Sequence, residues 1–533
     1  MGTLGIGGKD MHRQVYLGAL ALAVVALPWS EFLLSLSQII LVANWLWEGV
    51  ARGDLAGRFK RSYGKAESAV FLSFFGLHLL GLAWTTDLKW GLDLSRILLP
   101  VLVFGVVLPS VPRLSKEELR ALLLLGAWSV VASTIAAMAM RHEVLAQGRY
   151  RDLSPFISHI RLGLMLCFSI AVLVYHWPRR WALRAAHVLA ILWCLWFMDQ
   201  LRSLITLPVL AALVVFALWR VARHAGKAWW TGALLLLLAG GFGTAVVLRS
   251  VYHDYVRVDR QALEHLDERS AGGEIYYHDL KNPLRENGHY VWINVADKEL
   301  ERTWGRRSAL PFWGDDKLGQ PLRFTLVRYL ASMGERKDST GVQALTDADV
   351  ARIENGMTSV VQGRKGAMRA RIGQVLYEVE AYRTQGDPNG HSVTMRVEFV
   401  RTGLHIARAH WLTGVGTGDT QLAFNAAFDE LNSPLAPRWR LRAHNEYLTL
   451  FISFGLFGFL WSMFSWWWPA RRLQACAQPL FIAWAIIFLL SCLTEDTIET
   501  QMGATFFALY YALFVFAAPM PAASDTHAPE GSA

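Results

Sequence analysis

Residues 229–249 read WWTGALLLLLAGGFGTAVVLR, twenty residues without a charged side chain before Arg249. A helix rises about 1.5 Å per residue, so twenty residues cover roughly 30 Å, the hydrocarbon depth of a bilayer. The stretch therefore reads as a membrane-spanning helix, and it is not alone. Comparable apolar runs fall near 14–30, 33–50, 68–85, 93–110, 120–139, 161–177, 182–199, 202–219, 443–467, 477–494 and 500–518, which makes twelve in all. The composition agrees: 53% of the 533 residues are hydrophobic, 23 are Trp, and the mean hydropathy is +0.28. A soluble chain of this length would not be so apolar. The first run lacks a small-residue cleavage site and is followed by further runs, so it reads as a span rather than a cleaved signal peptide.

Charge sets the expected orientation. Alternate segments, namely the N-terminal tail and the loops near 51–66, 111–120, 177–184, 220–227 and 469–473, hold 18 Lys and Arg. The opposite short loops hold seven: Lys89, Arg96, Arg141, Arg149, Arg151, Arg161 and Arg202. Basic loops stay in the cytoplasm, so both termini are expected there. The formal net charge of +9 is then mostly topological, and nucleic acid is a poor partner for it. Cys167, Cys194, Cys476 and Cys492 lie in or beside apolar stretches, with no CxxC and no Cys/His metal spacing. They read as small membrane hydrophobes rather than disulfides or a zinc site.

The expected fold is thus an all-α polytopic membrane protein of about twelve transmembrane helices. Residues 1–249 hold nine of them and 443–518 hold three. Residues 250–442 form a large outward-facing insertion of mixed, partly helical structure, and 519–533 a small, polar, disordered cytoplasmic tail. Within the insertion, Thr346 and Asp349 resemble a capping box opening a short helix to about Asn355. Residues 365–384 predict an amphipathic helix with Met368, Ile372, Val375, Leu376 and Val379 on its apolar face. Asp315-Asp316, the nearest thing to a metal-type acidic pair, reads as a solvated turn, and no metal site is expected.

An arginine at membrane depth is costly and needs a reason. Arg202 lies in a minimal turn, Met198-Asp199-Gln200-Leu201-Arg202-Ser203, between two spans; Arg161 follows Ser158-His159-Ile160 at the outer start of the sixth. Snorkelling, or an Asp199–Arg202 pair, is the competing reading. The insertion ends on Arg396, Arg401, Arg408, Arg438, Arg440 and Arg442. Arg396, Glu398 and Arg401 fall on a predicted helix over about 393–410. It leads into Gly414-Val415-Gly416-Thr417-Gly418-Asp419, whose glycines would let backbone N–H groups approach an anion, although such a run is more often a tight turn. Guanidinium groups gathered at the outer surface would match phosphate oxygens and neutralise a departing pyrophosphate. His444 opens the tenth span beside them, and a neutral imidazole there could take a proton from a sugar hydroxyl. Taken alone, that histidine is more readily a helix-start residue bonded to backbone.

The motif around it is longer than one residue. His444-Asn445, nine residues, then Gly455-Leu456-Phe457-Gly458 fits H-[NSQ]-x9-G-x-x-[GTY] and resembles the signature of the O-antigen ligase family. Arg396-Val397-Glu398 with Gly414-Val415-Gly416 is similar to that family's R-x-E…H-P-x-x-G-V-G segment; His410 is in register, with Trp411 in place of proline. The turn Thr494–Gly503 is similar to its acidic loop, which implies a supporting role for Glu495, as the His444-Asn445 motif does for Asn445. The R-x-x-x-L motif is met only in part, Thr206 standing where leucine is expected after Arg202. Residues 255–390 are longer than the usual loop, and Gly288–Arg307, with Tyr290–Asn294 within it, look like the outer insertion of some members.

The resemblance implies a GT-C-like bacterial inner-membrane glycosyltransferase with its active site in the periplasm. It implies inverting, metal-independent transfer of a glycan from undecaprenyl pyrophosphate to an acceptor hydroxyl such as lipid A core, without a cofactor. By that analogy Arg202 and Arg396, with Arg161 or Arg401, hold the donor pyrophosphate. His444 is the catalytic base, and Glu398, Gly414 and Gly416 support the site. A polysaccharide polymerase or protein O-oligosaccharyltransferase would use the same pocket on another acceptor. A lipid-linked glycan transporter would instead carry charges near the bilayer midplane, and a non-catalytic scaffold would not need His444.

Overall fold

The computed structural model describes residues 7–146, 150–225, 227–256, 266–360 and 367–519; the expected tail beyond 519 lies outside the described residues. Eight helices are long and apolar enough to cross a membrane: Glu31–Ala51, Ala66–Trp84, Leu88–Ser110, Lys116–Arg141, Trp181–Leu201, Thr206–Arg223, Trp229–His253 and Glu446–Arg472. Four shorter apolar helices, Met11–Ala26, His159–Tyr175, Pro479–Ser491 and Gln501–Ala517, occupy the other four runs. Among the described residues the only strand pairing beyond isolated bridges joins Arg285–Glu286 to His289–Tyr290. The chain is an all-α polytopic membrane protein.

The helix Trp229–His253 shows why lipid is required. None of its apolar window is buried against the protein, and Leu234, Leu236 and Phe242 lie exposed. Apolar surface on that scale is not left to water in a stable soluble protein. The bundle packs instead around the last helix, Gln501–Ala512, where Phe507, Leu509 and Tyr511 are fully enclosed. Trp484 and Phe488 pack around Phe507 with ring centroids 6.2 and 4.6 Å away.

The insertion has its own core, built on Trp304, Leu326, Tyr329, Leu330 and Ile353, all fully buried. The expected capping box is present: Thr346 caps the helix Asp347–Glu354 and Asp349 closes the reciprocal bond. The helix over 365–384 also forms, as Ala367–Gln385, but it buries a different face. Ala370, Arg371, Tyr377, Glu378 and Ala381 are inside, whereas Met368, Ile372, Val375 and Leu376 are half-buried and Val379 is exposed. The reason is electrostatic. Arg371 Nη1 donates to Glu378 Oε1 at 3.0 Å with both side chains almost wholly enclosed. A charged pair of this kind is tolerated inside because each group satisfies the other, and a hydrophobic pattern gives no sign of it.

Candidate active site

The helix Ser392–Ala409 carries the arginines expected on it. Glu398 anchors that helix: it is buried, accepts from the Tyr382 hydroxyl, and accepts from Ser433 Oγ at 3.3 Å. Arg396 and Arg401 meet different acids. Arg401 is exposed, and its closest acid is Glu398 at 3.9 Å.

The glycine run docks on the long helix Glu446–Arg472 at a break. Gly455 there has φ 64° and ψ −168°, and a side chain on it would strike the Leu412 carbonyl. Gly414 would likewise strike the Ser453–Phe454 backbone. Only glycine permits the two backbones to approach so closely. Val415 and Gly416 donate to the carbonyls of Ile452 and Ser453, both at 2.9 Å, and Leu456 donates to Trp411 O at 2.8 Å. The expected approach of these N–H groups to an anion gives way to this docking, since Thr417 and Gly418 also donate within the protein.

Asn445 caps the same long helix, its Oδ1 accepting from Leu448 N at 3.0 Å. Its Nδ2 donates to Leu493 O at 3.0 Å, and its N–H to Asp496 Oδ1 at 3.2 Å. Thr449 Oγ1 donates to that same carboxylate oxygen at 2.9 Å. Glu446 N donates to Cys492 O at 2.8 Å, and Ile498 N to Glu446 Oε2 at 3.0 Å. The acidic turn after residue 492 is thus laced onto the start of the long helix.

That lacing delivers Glu495. Its Oε1 accepts from Arg396 Nη2 at 2.6 Å, while its Oε2 lies 3.9 Å from His444 Nδ1. Burial raises the Glu495 pKa, and the charges of Arg396, His444 and Arg161 pull against that rise. Arg161 has its Nε buried with no hydrogen-bond partner among the described residues. The His444 ring lies tilted against Phe399 with centroids 5.6 Å apart.

Arg202 is one ring further out. It caps Trp181–Leu201 in the left-handed conformation, and its guanidinium lies 5.4 Å from the centre of the Tyr150 ring. Tyr150 in turn meets His159 edge-on at 6.0 Å, two residues before Arg161. Positive φ is rare outside glycine and asparagine. Among the described residues only Arg202, His444 and Gln474 adopt it as neither. Local strain of about 1–3 kcal/mol persists where the surroundings over-determine a position, as at functional sites.

Arg438, Arg440 and Arg442 are each held by an acid of their own. Arg438 pairs with Asp315 at 3.2 Å and Arg440 with Asp429 at 2.5 Å. Arg442 pairs with buried Glu499 and lies over the Trp90 ring at 5.2 Å. Asp316 is occupied too, accepting from Leu318 N, Gln320 N and Thr325 Oγ1. Sequence reasoning missed Tyr150, Phe399 and the Arg371–Glu378 pair, and no local motif marks any of them.

Fold and site together define a polytopic membrane protein with an arginine–glutamate–histidine cluster at the insertion-bearing end of its bundle. Residues 352–463 match the family model described as O-antigen ligase. The matched segment contains Arg396, Glu398, Arg401, Gly414, Gly416, His444 and Asn445. The family is one of membrane glycosyltransferases acting on lipid-linked glycans. No curated protein matches the chain.

Proposed function

We propose that the chain transfers a glycan from undecaprenyl pyrophosphate to a hydroxyl of lipid A core at the periplasmic face of the bacterial inner membrane, with both termini in the cytoplasm. The observation that carries this reading is the convergence of Arg396 and His444 on the two oxygens of Glu495. The arriving pyrophosphate competes with Glu495 for Arg396 and is held also by Arg161 and Arg202, which reach it as planar forks. The acceptor oxygen attacks the anomeric carbon from the face opposite the phosphate and forms the new glycosidic bond. The bond from that carbon to the pyrophosphate oxygen breaks, and its electron pair leaves with the phosphate. The acceptor proton passes to His444 Nε2, the nitrogen turned from Glu495, and the carboxylate beside Nδ1 stabilises the imidazolium. No metal takes part in this scheme.

The test is reconstitution of the purified protein with lipid-linked donor and, separately, core lipid, a second glycan carrier and a protein acceptor. Transfer to core lipid that survives EDTA is the expected result. Transfer only to a glycan carrier or to protein would reassign the acceptor, and strict dependence on an added divalent cation would contradict the scheme.

A further inference from the structure

Two cavities of about 270 and 240 Å³ lie beside the helix Ala367–Gln385 of the insertion. The first starts at Tyr150 and Arg202 and passes Met395, the neighbour of Arg396. The second shares Gln320, Arg328, Tyr377, Gly390, His391 and Trp439 with it and ends at Arg438. Together they fall within the size range of small-molecule sites, roughly 300–1,000 Å³. They trace one path from the arginine end of the candidate site outward along the insertion.

Away from the end lined by Arg151, Asp152 and Arg202, the wall chemistry suits a neutral polyol rather than an anion. Arg328 is committed to Glu286, donating from Nε at 3.0 Å and Nη2 at 2.8 Å, and Arg438 is held by Asp315. Arg151, Asp152 and Arg202 gather at the Tyr150 end of the first cavity, Glu378 is held by Arg371 and Asp387 accepts from Asn389; the uncharged wall carries Trp439 on both cavities, with Asn355 and Gln374 on the first. Amides both donate and accept, as sugar hydroxyls do, and an indole offers a flat apolar face to a pyranose ring. Two wall residues have unmet hydrogen-bonding capacity. Asn355 is 6% exposed and its Oδ1 has no hydrogen-bond partner among the described residues, and neither has the buried His391 Nδ1.

We propose that this path is an oligosaccharide-binding channel, and that it holds the glycan of the lipid-linked donor. The assignment to the donor rests on the pyrophosphate reading of Arg202, because the first sugar must lie beside the phosphate that bears it.

The test is calorimetric titration of the full-length protein in nanodiscs with two probes. One is the glycan released by mild acid from the producing cell's lipid-linked pool; the other is core oligosaccharide released from its lipopolysaccharide. The first should bind wild type and His444→Ala equally. Trp439→Ala should weaken it about tenfold, the effect of removing one enclosed aromatic anchor. Gln374→Ala, on a half-buried position and expected to fold, should weaken it about threefold. No saturable binding of the released glycan, unchanged affinity in both variants, or core oligosaccharide binding that Trp439→Ala abolishes would each overturn the proposal. Binding is read without turnover, so the channel and the transfer mechanism can fail separately.

Discussion

Arg396 and Glu495 stand 99 positions apart in the chain and meet at 2.6 Å, and the second oxygen of that carboxylate faces His444 Nδ1 at 3.9 Å. One acidic side chain thus links a candidate phosphate ligand to a candidate base. Two unit charges about 4 Å apart interact by roughly 1 kcal/mol in water and about 4 kcal/mol near a protein surface. Glu495→Gln should therefore lower kcat about tenfold or more, since the imidazolium formed during transfer loses its counter-charge. KM for the donor should hold or fall, because Arg396 is released from its resting partner. Steady-state kinetics with the reconstituted protein check the split; a rise in KM at unchanged kcat would contradict it.

Arg202 tests the phosphate side. Arg202→Lys keeps the charge but loses the planar fork and the broad cation that lies over Tyr150. Turnover should fall about tenfold or more if both features matter in the transition state. Normal kinetics would mean that Arg202 serves only to end its helix.

Much of this arrangement was legible in the linear chain, for identifiable reasons. Apolar length marks a span, so each of the twelve runs falls on a helix. The capping box at Thr346 and Asp349 is a local code, read within four residues. The helix carrying Arg396 is read in the same way, whereas His444, expected to open the tenth span, stands just before the helix Glu446–Arg472 at a positive φ. Which carboxylate joins them depends on a tertiary contact, and resemblance alone suggested a supporting role for Glu495. The helix Ala367–Gln385 misled the hydrophobic pattern because its buried face holds the Arg371–Glu378 pair. The run 414–418 reads more readily as a tight turn than as an anion cradle, and the N–H groups of Val415, Gly416, Thr417 and Gly418 all donate within the protein.

That break yields a stability test. Gly455→Ala would place a methyl group against the Leu412 carbonyl at a positive φ. It should cost about 1–3 kcal/mol or more and lower the thermal unfolding midpoint in detergent. An unchanged midpoint would mean that the docking of residues 411–416 is not held by close backbone packing.

Stability should also depend on pH through Glu499. Burial pushes its carboxyl up to about 7 against the pull of Arg442. Because the folded pKa lies above the unfolded one, this contribution is fully present below about 4.5 and is lost as pH rises through about 7. The unfolding midpoint should fall over that window, and Glu499→Gln should flatten the slope. A slope unchanged by the substitution would assign the effect to other groups.

The central claim is that one imidazole accepts the proton of the incoming alcohol. It is tested most directly by single-turnover glycan transfer with purified His444→Ala, supplied with lipid-linked donor and core-lipid acceptor in the same membranes. Transfer should fall by about 100-fold or more, the range expected for loss of a general base, while insertion and donor binding are retained. Transfer at the wild-type rate would contradict the account.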